Sequence, residues 1–205
     1  MRAPLRAGIA IFNAGEYHAA HDAWEDEWLG LATGSPDERF LHGLIQYTAA
    51  IYHVHRENAP GAAGLAESAL EYLDGLGPSY HGVDLEPIRK VLEQVGTDPL
   101  AVDLASLPPL THDCQIVRYD SLQPEATRIA AKVLAEEWDD VDEAVIFDAI
   151  AWHEATADRR IEQFVSAFLT AGVDRQIVLD RLRRYIERER ASHDDVRGLF
   201  GDQSS

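Results

Sequence analysis

The sequence predicts an all-α protein: a multi-helix bundle with an irregular proline-containing connector and a helical C-terminal extension. Three observations predict this fold. Apolar residues recur every three to four positions through most of the chain. Residues that start and stop helices bound these runs, as in Ser35-Pro36-Asp37-Glu38, where Ser is the cap and Pro takes the first helical position. The strand-like run at 115–119 is too short to found a sheet.

The predicted elements follow in order along the chain. The periodic runs give helices over 4–13, 16–31, 36–57, 60–75 and 84–95. Three prolines then interrupt the pattern: Pro99, Pro108 and Pro109. Helices resume over 124–138, 142–169 and 173–193. We therefore expect a helical core at 1–96, a connector at 97–123, and an extension at 124–205 that packs on the core.

Length and composition exclude several classes of protein. The 205 residues can bury the core of one large domain, and Cys114, the one cysteine, rules out an internal disulfide and a cysteine-rich metal site. The 36 acidic residues outnumber the 18 basic ones, for a net charge of -18, which argues against a nucleic-acid-binding protein. Because neither a membrane-spanning run nor a signal peptide is visible, we expect a cytoplasmic protein with no membrane partner.

The basic residues are also unevenly chosen. Only Lys90 and Lys132 are lysines, so 16 of the 18 basic residues are arginines. Acid excess with so little lysine is typical of salt-loving microbes such as halophilic archaea, because a Debye length of about 3 Å in about 1 M salt screens the repulsion among carboxylates. We expect a fold that needs high salt; an acidic mesophilic protein with an unusual Lys/Arg ratio is the alternative.

The predicted helix at 16–31 carries the candidate chemistry. A helical wheel puts four large apolar residues on one stripe: Tyr17, Trp24, Trp28 and Leu31. His21 interrupts this stripe, His18 lies beside it, and Glu25 follows one turn later at its edge. A buried imidazole needs hydrogen-bond partners, and a half-buried carboxylate must be paired, protonated or metal-bound. Three explanations fit these polar residues: a metal or substrate site, a hydrogen bond that fixes helix packing, or a simple surface cluster.

The predicted helix at 36–57 offers a polar surface that could face the candidate residues of the helix at 16–31. It carries a separate stripe of His42, Gln46, Ala49 and His53, and its small residues Gly43, Ala49 and Ala50 admit a close neighbour. If the helix at 16–31 packs there antiparallel, its polar residues face Gln46 or His53.

Two sets of candidate site residues follow from this arrangement. His21, Glu25 and His53 would suit a divalent metal such as zinc or manganese. His18, Asp22 and Gln46 are the candidate ligand-binding residues. For His53, a favourable interaction with a helix C-terminus is the alternative explanation.

Three motifs carry a resemblance to a known family. They are Phe12-Asn13-x-Gly15-x-Tyr17-x-x-Ala20-His21-Asp22-x-x-Glu25-x-x-Trp28, Phe40-Leu41-His42-Gly43-Leu44-Ile45-Gln46-x-x-Ala49-Ala50-x-Tyr52-His53 and Asn58-x-x-Gly61-Ala62. The set resembles the domain of unknown function 309 family over residues 5–95. The resemblance implies an all-helical, small cytoplasmic protein and no particular activity. Two residues depart from the family pattern, since Asp22 replaces the usual Glu and Trp24 a smaller aliphatic residue.

The C-terminal half adds one histidine and one basic face. His153 interrupts the apolar stripe of the helix at 142–169, as a core histidine with a hydrogen-bonded partner would. The last helix mixes arginines with Glu187 and Glu189, which predicts a solvated, salt-bridged face. Exposed helix faces after residue 124 predict a symmetric homodimer.

Two functions remain at this point. One is a helical protein that binds a metal ion or a small ligand at His21 and Glu25, with hydrolysis as the candidate reaction. The other is a non-enzymatic structural or protein-interaction module in which the same residues only fix helix packing.

Overall fold

The computed structural model describes the backbone of residues 1–200 and the side chains of residues 1–193. It confirms a predominantly α-helical fold. The helices are α1 (Arg2–Asn13), α2 (Asp22–Leu29), α3 (Pro36–His55), α4 (Ala59–Leu73), α5 (Glu86–Thr97), α6 (Pro124–Glu137), α7 (Glu143–Thr156), α8 (Arg159–Thr170) and α9 (Arg175–Phe200). Within the described residues, no helix is both long and apolar enough to cross a membrane.

A small antiparallel sheet was not predicted. Its four two-residue strands are β1 (Ser79–Tyr80), β2 (Val83–Asp84), β3 (Thr111–His112) and β4 (Gln115–Ile116), hydrogen-bonded in that order. The pairing of Val83 with His112 joins two hairpins that lie far apart in the sequence. Strands of two residues are too short to show an alternation of apolar and polar residues in the sequence. The sheet forms only because residues 111–116 come back to pair with residues 79–84.

The predicted helix at 16–31 begins later than expected. Residues 17–21 form turns, and α2 starts at Asp22. The His21 ring hydrogen-bonds with the carbonyl oxygen of His18, one of the groups that a continuous helix would pair with a backbone amide. The side chain of His21 therefore competes with helical pairing at the very position where the sequence predicted a helix interior.

The predicted helix at 142–169 is in fact two helices. Ala157 adopts a left-handed conformation, with φ of 56°, and ends α7. Asp158 then caps α8 by accepting a hydrogen bond from the Arg160 amide at 3.0 Å. Continuous hydrophobic periodicity concealed this break, although Asp158 was a visible capping residue.

The chain divides into two compact units, Met1–Val133 and the chain from Leu134 onward. Residues of the connector belong to the first unit. The Asn13 side chain donates to the carbonyl oxygens of Leu110 and Val117, both at 2.9 Å, and accepts from the Leu110 amide at 2.8 Å. The predicted packing of the extension on the core stays a prediction.

Trp24 anchors α2 on α1. Its indole is fully buried, and Nε1 donates to the Leu5 carbonyl oxygen at 3.3 Å. The ring lies directly on Gly8, where a Cβ atom would come within 2.3 Å of it. Gly8 therefore makes room for Trp24.

Gly43 lets α3 approach another helix closely, as predicted. The neighbour is α4 rather than α2. A Cβ atom at Gly43 would lie 2.6 Å from Cδ2 of Leu73, which is fully buried. One member of the polar stripe of α3, His42, also contacts α4, because its ring stacks on Tyr72.

Candidate functional site

Two ring contacts show that the segment 18–28 runs antiparallel to α3. The rings of His18 and Tyr52 have centroids 4.8 Å apart, and those of Trp28 and His42 lie 4.7 Å apart. The beginning of the segment thus meets the end of α3, and its end meets the beginning of α3. We call the surface between these contacts the polar interface. Its closed end contains Trp28, Glu38, His42, Gln46 and Tyr72, and its open end contains His18, His21, Asp22, Glu25, Tyr52 and His53.

Glu38 is the centre of the closed end. Its side chain is buried, with 8% of the residue exposed, and its carboxylate accepts from Trp28 Nε1 at 3.0 Å and from the Gly34 amide at 3.1 Å. His42 Nδ1 lies 3.3 Å from Glu38 Oε1. The bond from Trp28, then those from Gly34 and His42, hold the pKa of Glu38 below its usual value despite burial. Glu38 is therefore an ionised carboxylate held by three donors.

His42 completes this end. Its ring stacks on Tyr72 with centroids 3.8 Å apart, and its Nε2 lies 3.4 Å from the amide nitrogen of Gln46. An amide nitrogen can only donate, so Nε2 accepts and the ring proton on Nδ1 points to Glu38. Gln46, a predicted ligand-binding residue, is thus hydrogen-bonded to His42.

His21 is the centre of the open end. It precedes α2, where Nδ1 hydrogen-bonds with the carbonyl oxygen of His18 and Nε2 lies 3.0 Å from Asp22 Oδ1. The hydrogen bond that His21 donates to Asp22 is the main cause that raises the pKa of His21 above its ordinary value. Burial opposes this rise, while the negative charge of Asp22, the His18 carbonyl and the charge of Glu25 add to it. Because both ring nitrogens face oxygen acceptors, this environment favours the imidazolium form.

The other predicted site residues are placed differently. Glu25 is exposed, and it acts on His21 through its charge. His53 lies in the last turn of α3, and its Nδ1 is 2.7 Å from the side-chain nitrogen of Asn58, the residue that caps α4. A Cβ atom at Gly61 would come within 2.8 Å of this Nδ1, which explains why the third motif pairs Asn58 with Gly61.

The predicted metal ligands do not form a coordination group. Across the residues whose side chains are described, no three His, Cys, Asp or Glu side chains are placed to hold a metal ion. His21 is engaged with Asp22 and His53 with Asn58, while Glu25 is exposed on α2. What the structure brings together is a histidine–carboxylate pair at each end.

The sequence analysis missed the closed end. Two signals could have found it, since Glu38 and His42 are one helical turn apart and Ser35-x-x-Glu38 is a capping-box pattern. The prediction for His153 is confirmed in its hydrogen bonding, because Nδ1 lies 2.9 Å from the Asp158 carbonyl oxygen. His153 does not lie within one long helix at 142–169, as predicted; its bond to Asp158 bridges the break between α7 and α8.

Comparison with known proteins supports the resemblance in the N-terminal part of the chain. Residues 5–65 match the family described as Domain of unknown function (DUF309). An uncharacterized protein of Aquifex aeolicus (strain VF5) is 26% identical over 91 residues, which are 44% of this chain and 27% of the relative. The chain thus matches about a quarter of that protein's length. The halophilic source predicted from composition gains no support from these matches.

Proposed function

We propose that the open end of the polar interface binds a small polar ligand, with His21 as the proton and hydrogen-bond donor. The observation that carries this proposal is the contact of His21 Nε2 with Asp22 at 3.0 Å in a side chain that is still 29% exposed. A histidine whose charge is favoured by a carboxylate and which solvent can reach is suited to give a proton to a bound molecule.

Hydrolysis is the reaction class that we propose for this site. His21 can supply a proton to a leaving group, and the exposed carboxylate of Glu25 can accept one from water. His18 and Tyr52 supply a ring-lined wall next to His21, with the two histidine rings 5.4 Å apart. His18, His21, Asp22 and Glu25 are thus the residues that we assign to binding and proton transfer.

Zinc or manganese is the competing occupant of the same end. The contact of His21 Nδ1 with a backbone carbonyl is the second contact that a metal-binding histidine commonly makes, and it would leave Nε2 and Asp22 as two ligands. Among the described side chains, no third His, Cys, Asp or Glu is placed to complete such a metal site, so the geometry favours the metal-free proposal.

Histidine NMR on the full chain in molar KCl tests the proposal. We would add mixtures of small carboxylates, amines and phosphate monoesters, and separately zinc and manganese chloride. We expect a small molecule to shift the ring signals of His21 and His18, and His21→Asn to abolish its binding, while His55→Asn on exposed His55 leaves it unchanged. Shifts caused only by the metals would replace the proposal by a metal site.

A non-enzymatic module is the second candidate, and the closed end favours it. There Glu38, His42 and Gln46 bind one another, so their polar groups fix the packing of the α2 segment on α3. If neither small molecules nor metals shift the His21 signals, this role extends to the whole polar interface.

We also propose a homodimer through helix faces after residue 124, in the cytoplasm. The apolar residues Val173 and Ile177 support it, because they are 99% and 50% exposed. Light scattering in molar KCl should then give twice the chain mass of 22.8 kDa. A mass of one chain would contradict the dimer.

A further inference from the structure

Helix α9 sorts its arginines onto two faces. On one face, Arg183 pairs with Asp142 at 2.7 Å and Arg190 with Asp148 at 3.2 Å. On the other face stand Arg181, Arg184 and Arg188, which are exposed and have no ion pair with any described carboxylate. The salt-bridged surface that the sequence predicted therefore describes only the first face.

The second face is concentrated in space. Positions 181, 184 and 188 follow helical spacing and span about 10 Å along the axis. The three arginines line an open cavity of about 510 Å³ together with Phe164 and Tyr185. We call this site the arginine cavity. Three neighbouring cations repel one another, and a bound anion would relieve that repulsion.

Aromatic rings form an apolar part of the same cavity. Phe164 is half-buried and lies 5.6 Å from Tyr185, centroid to centroid. Tyr185 is buried and donates its hydroxyl to Asp158 at 2.6 Å, and burial, followed by this bond, raises its pKa. The guanidinium of Arg188 lies 5.8 Å from the ring of Tyr185. The cavity thus combines fixed aromatic surface with guanidinium groups at its edge.

Two acidic residues of α9, Glu187 and Glu189, line other cavities. Glu187 borders the one that contains Arg183 and Arg190, and Glu189 borders one with Trp152 and His193. Neither lines the arginine cavity. None of the five residues that line the arginine cavity is acidic, although the chain has a net charge of -18.

We propose that the arginine cavity binds a small aromatic polyphosphate, the chemical class of the nucleoside triphosphates. Guanidinium groups match phosphate oxygens in charge and geometry, and the exposed part of Phe164 offers a surface for a planar base. The volume lies within the range of about 300–1,000 Å³ usual for small-ligand sites. The net charge of the chain would repel a long polyanion, so a compact ligand is favoured over nucleic acid.

Calorimetry with ATP on the full chain tests this proposal, at the lowest KCl concentration that keeps helical circular dichroism full. We expect ATP to bind, and Arg184→Gln with Arg188→Gln to weaken it at least about tenfold through lost charged hydrogen bonds. The matched control, Arg183→Gln with Arg190→Gln, removes the same charge from the other face and should change the affinity less than about twofold.

A second comparison isolates the aromatic part. Phe164→Leu should weaken ATP while leaving the binding of inorganic triphosphate unchanged. Absence of ATP binding, an equal loss in both arginine pairs, or tighter binding of a short single-stranded oligothymidylate than of ATP would each overturn the proposal.

Discussion

The two ends of the polar interface contain the same kinds of residue and differ in what surrounds them. At the closed end, a buried carboxylate gathers three donors, and His42 is stacked and hydrogen-bonded on both ring nitrogens. At the open end, His21 also has partners on both nitrogens, but its carboxylates reach solvent. A histidine paired with a carboxylate therefore does not specify a role. Burial decides whether the pair is enclosed by packing or reaches solvent.

The difference also gives the two ends opposite responses to pH. The pKa of Glu38 is lowered in the folded protein, so its contribution to stability is present above the usual value of 4.5 and is lost as pH falls through the folded pKa. The pKa of His21 is raised, so its contribution is present below the usual value of 6.5 and is lost as pH rises through the folded pKa. Four predictions sharpen this contrast.

The largest effect is expected at the closed end. Glu38→Ala removes the acceptor of Trp28 Nε1 and of the Gly34 amide, and we expect it to lower the free energy of unfolding by about 3 kcal/mol. Urea denaturation in molar KCl measures this change. Glu25→Ala at the exposed position is the control and should stay within about 0.5 kcal/mol. Similar losses in both variants would remove the distinction between the two ends.

The next effect concerns what holds α2 in place. Gly8→Ala should lower the free energy of unfolding by about 1–3 kcal/mol, because the new Cβ atom collides with the Trp24 ring. Gly64→Ala is the matched control, since a Cβ atom there meets nothing within 4 Å. Combining Gly8→Ala with Trp24→Leu should cost less than the sum of the two single changes. If the two losses of stability simply add, the contact between Gly8 and Trp24 does not anchor α2.

A smaller effect is expected on the titration of His21. Asp22→Asn removes the largest cause of its raised pKa, so the pKa measured from the ring signals by NMR should fall. In the same variant, the protein should also lose less stability when the pH is raised through the pKa of His21. His55 provides an internal reference on the same sample, since it is exposed and distant in sequence from Asp22. An unchanged His21 titration would show that the pair is not formed in solution.

The smallest effect is expected from Glu25. Glu25→Gln should lower the pKa of His21 less than Asp22→Asn does, because Glu25 contributes only through its charge and ranks below Asp22 and His18. Raising the KCl concentration should reduce the difference between Glu25→Gln and the unchanged protein, since salt screens exposed charges. A larger shift from Glu25→Gln than from Asp22→Asn would reverse our assignment of the open end.

Sequence patterns predicted most of the helices, with identifiable failures. The capping signature at Ser35 gave the start of α3 correctly, because Ser35 does accept from the Glu38 amide at 3.2 Å. The helical wheel for 16–31 failed before Asp22, because it assumes helix where side-chain bonding prevails. It still placed Trp24 among the apolar residues, and Trp24 is fully buried.

The sequence by itself determined the class of fold, the order of most helices and the stripe of His42, Gln46 and His53 on α3. These properties depend on local periodicity and capping, which neighbouring residues encode. Only the tertiary structure decided which helix meets Gly43, that Trp28 and Glu38 share a hydrogen bond, and which arginines of α9 find carboxylates. These outcomes depend on distances between residues remote in sequence and on burial, which sets the strength of each polar contact.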